Sequence, residues 1–260
     1  MSTNTLAVLV LSCDKYADLW PPFFNQFKKY FPVDDFKIYV GSNSYPCNEP
    51  NVKPILSGVD IDWSTSLKKI LAQINEPKIF IILEDIFLSS PVDRSLLQIA
   101  SVLLNDNKVL HVKYFANPIP DKPCVMSGVG MYLRGAPYRA TVCGFWDREY
   151  LMELLIEGES PWDFEIFGSY RTSYSDGFYG FMKPICSYVN MVEKGCWIPK
   201  SLAWADSEGL DLDLTKRPML NAINGLLSKL KMVYFDSVIK IPWAWRISLM
   251  GKLRRLLITY

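Results

Sequence analysis

The feature that most constrains this chain is a set of short apolar runs that stop abruptly at polar residues. Leu6–Leu11 and Lys78–Leu83 are such runs, and both are typical of strands buried on two faces. Between them, apolar residues recur every three or four positions, as they do on the buried face of a helix. Strands that alternate with helices predict an α/β fold with a mixed, mostly parallel sheet.

The same alternation continues along most of the chain. Phe36–Val40 and Val109–Phe115 are predicted strands, and the helix that contains Leu67 begins near Asp62 or Ser64, either of which can cap it. No linker interrupts the pattern. We therefore predict one domain, residues 1–225, followed by a separate basic tail, residues 226–260.

Composition excludes several kinds of site. The chain has one histidine, His111, so zinc centres that need two imidazoles are excluded. Its six cysteines form no C-x-x-C pair, and we interpret them as reduced thiols of a cytosolic protein. No glycine-rich phosphate loop follows the first strand, which argues against an enzyme that forms sugar nucleotides. The chemistry therefore falls to carboxylates, lysines, hydroxyls and the backbone.

Charge is divided unevenly along the chain. The tail carries a net charge of +6 and the residues before it carry −5, and an acidic body argues against nucleic-acid binding. Placed on a helix, Trp245, Leu249 and Leu253 share one face and basic residues lie opposite. This pattern predicts an amphipathic helix on an anionic membrane surface. The alternatives are a helix packed on the domain and a contact within a homodimer.

Two adjacent acids, Glu84 and Asp85, directly follow the predicted strand Lys78–Leu83. Ligands gather at the carboxyl ends of strands in open α/β sheets, and adjacent anions between apolar runs are costly unless a positive group meets them. Mg²⁺ or Mn²⁺ that bridges a nucleotide diphosphate would supply that charge. The alternative is that the two acids cap the next helix or pair with Lys68 or Lys69.

A second acidic cluster lies at Ser160–Glu165. On a helix, Trp162 and Glu165 share one face while Asp163 points elsewhere. An aromatic ring beside a carboxylate suits sugar recognition, because the ring covers the apolar face of a pyranose while the carboxylate accepts a hydroxyl proton. The alternative is an ordinary helix N-terminus with Trp162 in the core.

Six motifs occur in a characteristic order and cover roughly residues 5–200: Val8–Tyr16, Trp63-Ser64, Ile82–Leu88, Phe145–Asp147, Ser160–Glu165 and Lys194–Trp197. This set resembles small bacterial glycosyltransferases of the GT-A type that build surface polysaccharides such as capsule or O-antigen. The resemblance implies a GT-A-like, Rossmann-like fold and a nucleotide-sugar donor across the first strand ends. It also implies a cytoplasmic enzyme that works peripherally at the inner face of the cell membrane.

The resemblance assigns roles to particular residues. Asp85 takes the position of a metal ligand in the Asp-x-Asp motif, and Glu165 takes that of the base in an inverting transfer to a saccharide or lipid-linked acceptor. Ile86 stands where a further acid is common, so a metal-independent reaction stays open. The predicted acceptor contacts are Trp162 and Asp163. The predicted donor contacts are Ser12, Asp14, Ser42, Asn43, Trp63, Glu84, Arg171 and Lys194.

Several of these residues could instead have a purely structural role. Asp14 is a candidate contact to a nucleobase or ribose, but it can also cap a helix. His111 is predicted to be structural, and Trp63, Trp146 and Trp197 are residues of the kind most often found in a core. Two other functions stay open: a non-catalytic sugar-binding or assembly protein of the same fold, and a glycoside hydrolase that uses two carboxylates.

Overall fold

The structure is a computed structural model of the chain. It describes residues 6–116 and 118–220, together with the isolated positions 233, 237, 241, 242, 245, 248, 249 and 252. The predicted amphipathic helix of the tail lies outside the described residues, apart from those positions. Within the part of the chain that the structure describes, no helix is both long and apolar enough to cross a membrane.

Short strands and helices alternate, as the sequence predicts. The strands are β1 (Leu6–Leu11), β2 (Lys37–Ser42), β3 (Val52–Leu56), β4 (Lys78–Leu83), β5 (Ile86–Leu88), β6 (His111–Lys113), β7 (Lys122–Pro123), β8 (Val129–Met131), β9 (Gly144–Asp147), β10 (Phe178–Phe181), β11 (Tyr188–Asn190), β12 (Val192–Glu193) and β13 (Cys196–Trp197). The helices are α1 (Trp20–Tyr30), α2 (Trp63–Leu71), α3 (Arg94–Leu103), α4 (Arg148–Leu154), α5 (Pro161–Asp163), α6 (Ser169–Arg171) and α7 (Pro199–Ser207). A π-helical segment, Phe164–Gly168, joins α5 to α6, and 3₁₀ turns lie at Asp14–Leu19, Val33–Asp35 and Leu214–Lys216.

Among the described residues, nine strands form the central sheet, in the order β3-β2-β1-β4-β9-β6-β10-β8-β7. β1 lies parallel to β2 and β4, and β6 lies parallel to β10, whereas β9 runs antiparallel between β4 and β6. The predicted α/β fold with a mixed, mostly parallel sheet is therefore confirmed.

The sheet has a buried core on each face. Phe23 and Phe27 of α1 pack over Phe80 on one face, and Leu67 and Ile70 of α2 pack with the residues of the other. β1 and β4 are apolar on both sides because both faces are covered, which explains their continuous apolar sequences. The parallel strands consequently end together, and we call this end the polar edge: Ser12–Asp14, Ser42–Asn43, Glu84–Asp85 and Lys113.

Local predictions succeed where the sequence signal is local. The strand Lys78–Leu83 has the predicted bounds, and Asp62 caps α2 by accepting the Thr65 N–H at 2.8 Å. The strand predicted at Val109–Phe115 is shorter, spanning His111–Lys113. Glu84 and Asp85 do not cap a helix, because the next element is the strand β5.

Candidate functional site at the polar edge

The Asp14 carboxylate ties the ends of β1 and β2 together. Its Oδ1 accepts the backbone N–H groups of Asn43 at 3.0 Å, Ser44 at 2.9 Å and Tyr45 at 3.1 Å. In return, the Asn43 side-chain oxygen accepts the Asp14 N–H at 3.3 Å. A carboxylate that accepts several backbone donors fixes their loop, so Asp14 shapes the edge, and its contact to a nucleobase or ribose stays a prediction.

The hydroxyl groups of the edge are also engaged. Ser12 Oγ accepts the Trp20 indole N–H at 2.8 Å, and Ser42 Oγ donates to the Tyr45 carbonyl at 2.6 Å. The Asn43 amide donates to Ser57 Oγ at 3.3 Å. These bonds hold the loops after β1, β2 and β3 in one arrangement. The predicted donor residues Ser12, Ser42 and Asn43 thus lie together, as supports of the edge.

Glu84 and Asp85 occupy the turn between β4 and β5. Glu84 is only 6% exposed, and burial, together with repulsion from Asp85, raises its pKa well above the ordinary value. Burial raises the pKa of Asp85 to about 6. The Oδ1 atom of Asp85 is buried and has no hydrogen-bond partner. A buried carboxylate oxygen without a partner is costly, so a positive or hydrogen-bonding group at this turn would be stabilising.

Arg217, which sequence reasoning missed, faces the same turn. Its guanidinium forms two bonds to the Asp18 carboxylate, at 2.5 and 3.2 Å, and donates to the Lys15 carbonyl at 2.9 Å. It lies 4.2 Å from the ring centroid of Tyr16. Its charge counteracts the upward pKa shifts of Glu84 and Asp85. No motif surrounds Arg217, so no sequence signal could have identified it.

Glu165 approaches the edge from the π-helical segment Phe164–Gly168, a type of helix that often marks functional positions. Its Oε1 accepts the Val142 N–H at 3.0 Å. Burial raises the pKa of Glu165, whereas the Val142 N–H and the charge of Lys113 lower it. The Cys143 thiol has a pKa raised by burial and then by both Glu165 and Asp85. The two carboxylates therefore act on the same thiol, and their roles toward donor and acceptor stay predictions.

Lys113, the last residue of β6, is the second charged residue that sequence reasoning missed. It is 2% exposed, and burial lowers its pKa to about 7, while Glu165 acts in the opposite direction. Its ammonium donates to the Tyr138 carbonyl at 3.2 Å. The signal available in the sequence was its place at the end of a predicted strand.

The two predicted acceptor contacts, Trp162 and Asp163, have different surroundings at α5. Trp162 is 63% exposed, so the alternative that placed it in the core is wrong. Asp163 accepts both the backbone N–H and the hydroxyl of Ser160, at 3.1 and 2.7 Å, and completes a capping box. Trp63 is half-buried and lies 5.6 Å from the ring of Phe164. Trp162 thus offers an open aromatic face, whereas Asp163 serves the helix start.

The two predicted donor-binding cations, Arg171 and Lys194, lie in different settings. Arg171 pairs with Glu159 through bonds of 2.5 and 2.9 Å and donates to the Leu154 carbonyl at 2.9 Å. Lys194 is exposed at the turn between β12 and β13, where its φ is 51°. Arg171 thus serves the loop before α5, and the roles of both residues toward a donor stay predictions.

A metal ion at this edge would need ligands from a substrate as well as from the protein. Within the described ranges, no group of three or more His, Cys, Asp or Glu side chains is arranged to hold a metal ion. Mg²⁺ commonly binds one or two carboxylates together with substrate phosphates and water. The unpartnered Oδ1 of Asp85, with Glu84 beside it, fits that kind of donor set.

Two concave regions lie near these residues. One, of about 180 Å³, is lined by aromatic and apolar side chains, among them Tyr114, Cys186 and Tyr188. Tyr188 belongs to β11, which pairs with β5 directly after Asp85. The other, an open groove of about 680 Å³, is lined by Asp18, Pro22 and Lys216, beside the Arg217–Asp18 pair. The lining of neither region includes Glu84, Asp85 or Glu165.

No protein-family model matches the sequence, and no curated protein sequence matches it. Solved structures do. UDP-bound S. aureus TarS 1–349 aligns with a TM-score of 0.50 at 10% identity, over 81% of this chain and 68% of that one. Another structure of TarS 1–349 aligns with a TM-score of 0.44 at 13% identity, over 68% of this chain, which spans 60% of its length. The alignment with the UDP complex shows that this chain and TarS share a fold.

Two further structures align less closely. The glycosyltransferase GlyE of Streptococcus pneumoniae TIGR4 gives a TM-score of 0.36 at 11% identity, over 57% of this chain and 37% of that one. CMP:2-keto-3-deoxy-manno-octonic acid synthetase with CTP gives 0.46 at 11% identity, over 79% of this chain and 98% of that one. The fold shared with UDP-bound TarS and the mixed nine-stranded sheet confirm the expected GT-A-like, Rossmann-like fold class.

Proposed function

We propose that the chain is a glycosyltransferase that moves a sugar from a nucleotide-sugar donor to a hydroxyl of a saccharide or lipid-linked acceptor. The observation that carries this proposal is the unpartnered, buried Oδ1 of Asp85, on a turn whose second acid, Glu84, is also buried. A diphosphate with its counter-cation supplies the charge that this turn lacks. The fold shared with UDP-bound TarS supports a nucleotide at this end of the sheet.

The reaction is a single displacement. Glu165 accepts the proton of the acceptor hydroxyl, and the hydroxyl oxygen forms a bond to the anomeric carbon. The bond from that carbon to the donor oxygen breaks, and the nucleoside diphosphate leaves with the electron pair. Because attack and departure take place on opposite faces of the sugar, the configuration inverts. Both Asp85 and Glu165 raise the pKa of the Cys143 thiol, which supports a donor and an acceptor at the same part of the edge.

Mg²⁺ or Mn²⁺ is the proposed cofactor, held by Asp85, with Glu84 beside it, and by the diphosphate oxygens. Such an ion supplies positive charge that stabilises the leaving diphosphate. Arg217 serves the same electrostatic purpose from inside the protein, because its charge already counteracts the pKa shifts of both acids. A reaction without metal would depend on this guanidinium and on donor-side cations such as Lys194.

The acceptor is proposed to bind beside Glu165, with the exposed face of Trp162 against a sugar ring. A capsule or O-antigen precursor at the cytoplasmic face of the membrane would suit the +6 tail. Flotation with phosphatidylglycerol liposomes tests this part. We expect the full chain to float and the same chain with Lys252, Arg254 and Arg255 changed to Gln to float less; equal flotation would remove the membrane role.

A donor screen tests the function itself. We expect one class among UDP-, GDP-, dTDP- and CMP-sugars to raise the thermal unfolding midpoint, and Mn²⁺ to increase that effect. Asp85→Asn should abolish the Mn²⁺-dependent part, whereas Asp34→Asn, at an exposed acid far from the edge in the chain, should retain it. With water as the acceptor, incubation of the stabilising donor should then release the free sugar and the nucleoside diphosphate, or CMP if the donor is a CMP-sugar. No stabilisation by any of the four classes would refute the proposal.

A further inference from the structure

The cavity of about 180 Å³ beyond β6 has no role in the transfer described so far. We propose that it binds the hydrocarbon group of a lipid-linked acceptor, with one isoprene-sized segment of that group inside the cavity. The proposal rests on the proposed function, because it chooses between the saccharide and the lipid-linked acceptors that the function leaves open. The acceptor is then held by its apolar end as well as by its sugar.

One wall of the cavity lies beyond the carboxyl end of β6, which belongs to the polar edge. Tyr114, in this wall, directly follows Lys113, and Lys113 pairs with Gly144 of the antiparallel strand β9. Two residues before Gly144, the Val142 N–H donates to the Glu165 carboxylate at 3.0 Å. The backbone that forms this wall therefore neighbours the segment that holds the candidate base.

A second wall, formed by Tyr188 of β11, is connected to Asp85. Tyr188 pairs with Leu88 of β5, and three residues after Tyr188 the Met191 N–H donates to the Asp85 carbonyl at 2.9 Å. The ring centroids of Tyr188 and Phe115 lie 4.5 Å apart, so the two walls meet. The candidate base and the candidate metal ligand are thus both bonded to backbone next to the segments that form the cavity.

The lining favours a hydrocarbon group over a sugar ring. Among the described residues that line the cavity, the hydrogen-bonding side chains are those of Tyr114, Cys186 and Tyr188. The Tyr114 hydroxyl and the Cys186 thiol are buried and form a hydrogen bond with each other. A pyranose in the cavity would bury several hydroxyl groups against the one remaining side-chain hydroxyl, and buried hydroxyl groups without partners oppose binding. A hydrocarbon group has no such groups to satisfy.

The size of the cavity sets the length of the bound segment. A cavity of about 150 Å³ lined by Leu, Ile and Phe holds one benzene molecule. An isoprene unit has fewer carbon atoms than benzene, so a cavity of about 180 Å³ has room for such a unit and not for a whole lipid chain. Ile119, which also lines the cavity, is 54% exposed. An exposed aliphatic side chain beside an apolar cavity suits a lipid chain that continues outside.

Binding of geranyl phosphate, a short isoprenoid, tests the proposal without turnover. The full chain is labelled with ¹³C at the methionine methyl groups, and Met182→Leu identifies the signal of Met182, which lines the cavity. We expect geranyl phosphate to shift this signal until the site is saturated, whereas methyl α-D-glucopyranoside and inorganic phosphate leave it in place. An unmoved Met182 signal with geranyl phosphate, or an equal shift with the glucoside, would overturn the proposal.

A filled cavity provides the second test. Ala116→Trp places a large side chain in the lining, and we expect geranyl phosphate to bind about tenfold more weakly, as when a group of valine size stays in water. Ala72→Trp, the same substitution at an exposed position after α2, is the matched control and should bind like the unaltered chain. Equal affinity in all three chains would overturn the proposal. If Ala116→Trp does not fold, the Met182 measurement on the unaltered chain still decides.

The lipid site and the proposed function fail in different experiments. Geranyl phosphate binding needs neither a donor nor transfer, so its absence refutes the lipid site and leaves the outcome of the donor screen unchanged. Failure of every donor to bind refutes the proposed function instead. A saturable Met182 shift that Ala116→Trp removes would then still show a hydrocarbon site beyond β6.

Discussion

The two carboxylate groups of the polar edge are compensated in different ways. Glu84 and Asp85 repel each other. The cation that opposes the upward pKa shift of Glu84, Arg217, is already paired with Asp18. For Glu165, in contrast, the Val142 N–H and the charge of the buried Lys113 both oppose the upward pKa shift that burial causes. The first group includes a carboxylate oxygen without a partner, whereas the carboxylate of Glu165 accepts a hydrogen bond. The first group is therefore the better candidate for binding an ion and a diphosphate, and Glu165 is the better candidate for accepting a proton.

Loss of the base should have the largest effect. Glu165→Gln removes the proton acceptor but keeps the side-chain shape and the acceptor for the Val142 N–H. We expect kcat to fall about 10³-fold, within the range for a general base, with the donor KM little altered. Steady-state transfer assays measure both. Glu157→Gln, at an exposed acid in the loop before α5, is the matched control and should keep normal turnover.

Removal of the internal cation near the first group should mainly affect stability. Arg217→Met leaves the half-buried Asp18 without its ion pair and releases the Lys15 carbonyl, so we expect a loss of about 3 kcal/mol in the free energy of unfolding. Urea denaturation measures it. Arg134→Met breaks a pair with Asp176 whose side chains are 49% and 73% exposed, and it should leave the midpoint unchanged. Equal losses in both variants would contradict the role of burial.

Neutralisation of the unpartnered acid should separate activity from stability. Asp85→Asn removes the charge that repels Glu84, so we expect the free energy of unfolding at pH 8 to rise or stay constant. Turnover should nevertheless fall about 100-fold, because a group that stabilises the leaving diphosphate is lost. Activity assays and urea denaturation on the same preparation test the two halves. A destabilised variant would show that Asp85 is structural and that the comparison between the two groups fails.

The residues in this comparison differ in how well the sequence predicts their place in the site. The sequence alone predicts Glu84, Asp85 and Glu165 as site residues, because strand ends and helix periodicity are local signals. Arg217 lies 199 residues from its partner Asp18, and nothing in its own segment marks it. Lys113 resembles any lysine at the end of a strand until the register reveals Gly144 and Gly180 beside it. Charge interactions between residues that are distant in the sequence are therefore the part of the site that sequence patterns do not predict.

Element boundaries show the same limit. β9 contains the motif Phe145–Asp147, yet its antiparallel insertion between β4 and β6 depends on pairing partners more than 30 residues away. The exposure of Trp162 is equally non-local, since helical spacing alone does not say which face meets the domain. The capping of α2 by Asp62 was open to prediction because the Asp62 carboxylate and the Thr65 N–H that it accepts lie three residues apart.

The smallest expected effect concerns His111, which contrasts with Lys113 on the same strand. The charge of Glu165 partly offsets the effect of burial on Lys113, whereas His111 is fully buried near two cations, and burial lowers the pKa of His111 to about 3. The unfolded chain binds a proton at this residue below about pH 6.5 and the folded chain does not, so stability is lost as the pH falls through that value.

We expect His111 to cost the folded state about 1.4 kcal/mol at pH 5.5 relative to pH 7.5. Urea denaturation at the two pH values measures the difference, and His111→Asn removes this contribution whatever its own stability. His111 is the chain's single histidine, so no other imidazole adds to the signal. An identical pH dependence in both proteins would show that His111 takes up a proton in the folded state. The contrast between a compensated and an uncompensated buried base on β6 would then be wrong.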